Sequence, residues 1–295
     1  MLRSVTTSLM VNADDFGISV ASARCIIELA QAGRVQSTSC LVNASAWREC
    51  AVLLSDAPPE LQSGLHFNLS EGVPLSAELR RVWPQLPRLA SLLLRAHLRQ
   101  LPLQAIAQEW QAQWQCFIDA TGRAPHFVDG HQHVIHLPGV REVVLDTLSA
   151  TFGGQHAGQH ADQPAGQPSM PCRNTGQVVG AGHAFKRWVI ARSGGRALLH
   201  ELKQRGIAHN AALVGVYDFG DADYRSLVQR WLAAVPDEGA MLFCHPGAAP
   251  HTPGDAIAEA RVREAAYLAS SAFADDLAAA DVSLGAVWTR RSSGD

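Results

Sequence analysis

Short runs rich in Val, Leu and Ile alternate with longer segments of helical period along almost the whole of this 295-residue chain. That alternation is the pattern of repeated βα units around a parallel sheet. Candidate strands cover residues 9–13, 35–42, 64–69, 127–130, the region around Arg173, 212–216, 241–244 and 282–287. Helical periodicity covers 19–31, with Gly33 placed as a C-cap, and 103–120, closed by Gly122, then 138–148, 184–204, 224–234 and 256–268. So many units in series predict an α/β chain closing into a (β/α) barrel, a single domain over residues 1–295. Two stretches break the pattern. Residues 153–168, GGQHAGQHADQPAGQP, form a compositionally biased insertion expected to be a surface loop. Residues 73–88, with Pro74, Pro84 and Pro87, are expected to be an irregular connection that could cover a substrate.

Composition sets the partner class. Hydrophobic residues at 47% against charged residues at 17% supply a core and exclude a disordered chain. The 24 basic and 27 acidic residues are spread without long runs of one sign, which predicts neither nucleic acid nor an anionic membrane as a partner and favours something small or neutral. The start, MLRSVTTSLMVNADDFG, lacks the apolar core of a signal peptide, and no run approaches the ~18 apolar residues of a membrane span. A cytoplasmic protein with no membrane span is therefore expected. Cys25, Cys40, Cys50, Cys116, Cys172 and Cys244 stand singly with no CxxC pair, as reduced thiols would.

Four candidate strand ends carry reactive side chains. Asn12-Ala13-Asp14-Asp15-Phe16-Gly17 places two carboxylates where a strand gives way to a helix; capping that helix would account for such a pair, and so would a cation bound by one carboxylate while the other acts as a general base. In Gly64-Leu65-His66-Phe67-Asn68-Leu69 the period of a strand sends His66 and Asn68 to one face, and Glu71 follows as a possible partner for a ligand. Asp129-Gly130-His131-Gln132-His133-Val134-Ile135-His136 packs three imidazoles and a carboxylate into eight residues. Without cysteine, that donor set suits zinc or another divalent metal in an open catalytic site. Which of its histidines binds a metal is not fixed by spacing. Met241 to Gly247 delivers His245 at the end of a buried strand, where it could protonate a leaving amine.

The segments NADDFG, GLHFNLSEG, DGHQH and CHPG, in this order over roughly residues 8–250, resemble those of the YdjC-like, or ChbG-type, carbohydrate deacetylases. The resemblance implies a distorted TIM-like (β/α) barrel and a divalent metal ion, Mg or Zn, assisting hydrolysis of N-acetyl groups on chito-oligosaccharide-like sugars. It makes Asp15, His66 and His131 metal ligands and Asp14 the base. By likeness to the related NodB-type deacetylases, His245 is the acid. Arg173 corresponds to an arginine that orients the catalytic carboxylate, and Asn68 and His133 fall to substrate binding. Where members read HxHVH, Ile135 takes the place of the last histidine and His136 follows it, so substrate contacts are expected to differ. The implied partner is an N-acetylated sugar, with a homodimer as an assembly to be tested. Two rivals are an amidohydrolase-type metallohydrolase, since His131-Gln132-His133 is formally HxH, and a carbohydrate-binding barrel that has lost its chemistry. The first expects HxH on the first strand, and the second expects the site segments to have decayed.

Overall fold

The computed structural model describes residues 7–152, 170–248 and 255–289; the biased insertion at 153–168 lies outside them. Seven strands are present among the described residues: β1 (Thr7–Phe16), β2 (Ser37–Cys40), β3 (Gln62–Phe67), β4 (Val128–Gly130), β5 (Ala212–Val214), β6 (Ala240–Cys244) and β7 (Val282–Leu284). Every pairing between them is parallel, in the order β4-β3-β2-β1-β6-β5. β7 lies against the start of β1, on Thr7 to Leu9, below the point where β2 takes over. Strands β1, β3 and β6 are buried on both faces, as a parallel sheet covered by helices requires.

Helices follow the strands as the alternation predicts. After β1 comes α1 (Val20–Gln31), after β2 comes α2 (Trp47–Leu53), and α3 (Ala77–Val82), α4 (Leu89–His97) and α5 (Leu103–Thr121) link β3 to β4. Next are α6 (Val140–Phe152), α7 (Ala184–Ile190) and α8 (Arg196–Gln204) before β5, α9 (Tyr224–Leu232) before β6, and α10 (Ala258–Ala269) and α11 (Ser271–Ala279) before β7. The helix starts have their local causes: Ser19 caps α1 through Ser22 N–H, and Gly122 closes α5 at φ 70°. The core runs through Trp47, Trp110 and Phe117, with Trp47 and Phe117 stacked at 6.0 Å. The six cysteines are free.

Three expectations change. The region around Arg173 is no strand: Cys172 makes a single bridge to Val128, and its main chain then steps across to Ala208 and on to Leu213. Residues 171–179 thus span the gap between β4 and β5 by isolated hydrogen bonds, which curls the sheet into a distorted barrel. Residues 73–88 contain α3, capped by Ser76; buried Glu109 of α5 anchors its approach by accepting from Leu75 and Ser76 N–H at 2.9 and 2.7 Å. The helix expected over 184–204 is broken into α7 and α8 by a wide turn at Ala191–Gly195. Periodicity reads through that break, but packing does not, because Gly194, at φ 148°, presses against the His136 carbonyl, and a Cβ there would sit 1.9 Å from that oxygen.

Gly194→Ala combines a forbidden φ with displacement of the main chain behind His136, and it should cost at least ~2 kcal/mol. A lowered urea midpoint with unchanged slope checks this.

Candidate functional site

Parallel strands bring their C-terminal ends to one rim, and the residues read as reactive gather there. Asp14 and Asp15 sit at the end of β1 beside a register irregularity between Ala13 and Phe16, and Asp15 has a left-handed φ of 65°. In a regular strand the two carboxylates would point to opposite faces; the irregularity turns both inward, and Asp is among the residues that tolerate this backbone. His66 comes from β3 and stands directly across from Asp129 of β4. Beyond β4 the chain coils tightly, with Gln132 and His133 both left-handed at φ 49° and 63°, and this presents His131 beside Asp15. His245 leaves β6 on a turn whose amide is accepted by buried Glu264.

The donors form a chain of contacts. Asp15 Oδ1 lies 3.0 Å from His131 Nδ1 and 3.5 Å from His66 Nε2. Nδ1 of His66 is held by Asp129 at 2.6 Å. Asp129 also accepts from Ser39 at 2.6 Å and pairs with Arg173 at 2.5 Å. Arg173 grips Asp14 through both terminal nitrogens, at 2.9 and 2.6 Å, and Asn12 adds a third bond to that carboxylate at 2.6 Å. Arg261, from α10, holds the other oxygen of Asp15 at 2.7 Å and is itself held by Asp255. Glu71 lies 3.3 Å from His131 Nε2 and accepts from Gln132 at 2.7 Å.

Protonation follows these contacts. Burial alone would raise both aspartates, but Arg173 holds Asp14, and Arg261 with His131 holds Asp15, well below the usual carboxylate range. Burial works against an imidazolium at His66, yet Asp129 and Asp14 outweigh it and lift that ring to about 10; Asp15 does the same for His131, to about 9. His245 and His133 respond differently: burial dominates and pushes them down to about 4 and about 3. Both are therefore neutral near pH 7.

Two groups of side chains have donor atoms close enough to share an ion, Asp15 with His66 and His131, and Asp14 with His66 and Asp129. The second is already spent, because Arg173, Asn12, Ser39 and His66 saturate its carboxylates. The first keeps Nε2 of His66 free, since Asp129 occupies the other ring nitrogen. One carboxylate and two imidazoles, one of them backed by a second carboxylate, fit a catalytic divalent cation.

Asp14, His66, His131, His133 and His245 line one cavity of about 440 Å³. Asn68 does not join them: its amide is used up on Ser70, Glu71 and Asn43, shaping the loop that carries Glu71. Arg173 is buried behind Asp14 at 2% exposure, so it touches the carboxylate and not the cavity. Sequence reasoning counted Asp129 in the donor set of its segment without giving it a role, and it missed Ser39, Asn12 and Arg261. Only the fold sets Asp129 across from His66; Arg261, in an unremarkable helical segment, had no signal.

A family model described as YdjC-like protein matches residues 8–279. A Citrobacter koseri protein named chitooligosaccharide deacetylase is 40% identical over 140 residues, 46% of this chain and 53% of that one. A human protein named carbohydrate deacetylase is 38% identical over 148 residues, 48% and 45% of the two chains. The aligned stretches thus span about half the length of these curated relatives. A solved Enterococcus faecalis protein, described as a candidate cellobiose-phosphate cleavage protein, shares the fold at a TM-score of 0.68 and 22% identity over 95% of this chain and 97% of its own.

A cation entering this site must displace protons from His66 and His131, so its apparent affinity should rise with pH and level off above about pH 10. Titration calorimetry of Zn²⁺ in buffers of different ionisation heat should record release of up to about two protons per ion near pH 7. Asp129→Ala removes the acceptor that orients His66 and should weaken metal binding by about 10–100-fold.

Proposed function

The chain belongs to the YdjC-like protein family, and on that premise we propose that it is a metal-dependent carbohydrate deacetylase that hydrolyses the amide of an N-acetylated sugar. One observation carries the proposal: a His₂-carboxylate donor set, an oriented second carboxylate and a neutral imidazole face a single cavity. Asp15, His66 and His131 would hold the ion, magnesium or zinc, which when bound supplies a Lewis acid that acidifies water and polarises the acetyl carbonyl.

The remaining work falls to side chains. Asp14, fixed by Arg173 and Asn12, accepts the proton of the attacking water. So strongly paired a carboxylate is a weak base and cannot keep that proton, which therefore moves on. His245, neutral and enclosed by the rings of Phe219 and Phe243, is the group that receives it and passes it to the departing amine. The products are acetate and an amino sugar. Arg173 is a positioning residue: it aims Asp14 and, through Asp129, the ring of His66. His133, neutral in the same cavity, is available to the sugar, whereas both ring nitrogens of His136 are taken by Thr175 and Ser193.

The test is acetate release from a panel of N-acetylated sugars by metal-loaded enzyme. Asp14→Asn should bind metal at wild-type stoichiometry while kcat falls by at least ~100-fold. Full activity in that variant would falsify its role as base, and absence of acetate release from every sugar amide would remove the deacetylase reading.

A further inference from the structure

Beside its polar groups the cavity has an apolar wall, built by Leu89 and Leu93 of α4, Val189 and Ile190 of α7, and Phe219, over which Lys186 lies at 5.0 Å. A small sugar amide needs no such lining. The two helices that build it are also unusual outside the cavity. Leu94 of α4 and Leu98, which follows its last residue, are 61% and 55% exposed; on α7, Phe185 and Trp188 are 76% and 55% exposed and stacked on each other at 6.0 Å. These four are half of the large apolar side chains left exposed among the described residues.

Charge is segregated along the chain in the stretches that carry these two helices. Residues 79–108 hold Arg80, Arg81, Arg88, Arg95 and Arg99, and residues 170–200 hold Arg173, Lys186, Arg187, Arg192 and Arg196; neither stretch contains an Asp or Glu. Ten of the 24 basic residues, and none of the 27 acidic ones, thus fall in these two stretches, although the whole chain is slightly acidic. Apart from buried Arg173 and half-buried Arg187 these cations are exposed, and Arg192 lies over the Trp188 ring at 5.8 Å. Exposed Leu, Phe and Trp set beside Arg95, Arg99, Lys186 and Arg192, with Asp218 the one acidic group that acts on Lys186, match the headgroup zone of an anionic bilayer. A neutral sugar polymer would use aromatic platforms, but it would draw nothing from the arginines or from Leu94 and Leu98.

We propose that α4 and α7 dock this protein on an anionic phospholipid surface, and that the sugar it deacetylates is carried on a lipid whose apolar part lies along the Leu89, Leu93, Val189 and Ile190 wall. This rests on the deacetylase reading for the sugar but not for the docking. Among the described residues no helix is long and apolar enough to cross a membrane, so attachment through these helices would be peripheral.

Two measurements separate the parts. Wild-type protein should co-sediment with phosphatidylglycerol-containing vesicles and not with pure phosphatidylcholine, and added salt should weaken the binding. The double variants Leu94→Ser/Leu98→Ser and Phe185→Ser/Trp188→Ser should each reduce vesicle binding by at least ~10-fold while leaving acetate release from a soluble N-acetyl sugar unchanged. Separately, an octyl glycoside of the N-acetyl sugar should show a KM at least ~10-fold below that of the methyl glycoside. No binding to the anionic vesicles, or equal binding by both variants, overturns the docking; equal KM values overturn the lipid-carried substrate. Loss of all acetate release with intact vesicle binding would instead remove the deacetylase reading and leave the docking standing.

Discussion

The site depends on one buried cation, the guanidinium of Arg173. It joins Asp14 of β1 to Asp129 of β4, and Asp129 in turn fixes the ring of His66. Three carboxylates and two imidazoles cannot be packed out of water without such a counter-charge, since an unpaired buried charge costs several kcal/mol at the least. Arg173 therefore keeps Asp14 ionised, keeps Asp129 available as an acceptor and leaves Nε2 of His66 to the ion. Arg261 does the corresponding work for the far oxygen of Asp15.

How Arg173 reaches that position explains why the barrel is distorted. It lies on a segment too irregular to form a ladder, held by single hydrogen bonds between β4 and β5. A regular strand there would alternate its side chains between core and surface, whereas this segment only needs to deliver one guanidinium behind the rim. The strain collects nearby: Asp15, Gln132 and His133 all adopt left-handed backbone, and all three line the cavity. Such conformations persist because the ion pairs and the surrounding core over-determine them.

The same rim accounts for both chemistry and access. Strand ends supply the donors, while α4 and α7 supply apolar side chains to the cavity wall. Overall charge balance, read from the sequence as neutrality toward membranes, conceals this division. Along the chain the arginine-rich stretches instead coincide with α4 and α7, the two helices whose apolar side chains wall the cavity.

The sequence by itself determined the alternation of strands and helices, and with it a parallel barrel whose strand ends hold Asp14, Asp15, His66, His131 and His245. Those features are local, set by periodicity and by residue type at a turn, and can be read without knowing any partner. Only the tertiary structure decided that Asp14 and Asp15 face the same way, that Asp129 backs His66, that Asn68 is spent on a loop and that Arg261 enters from a distant helix. Each of these rests on contacts between residues far apart in the chain. The break at Gly194 belongs with them: a helical period continues through it, but the close approach of His136 leaves no room for a side chain.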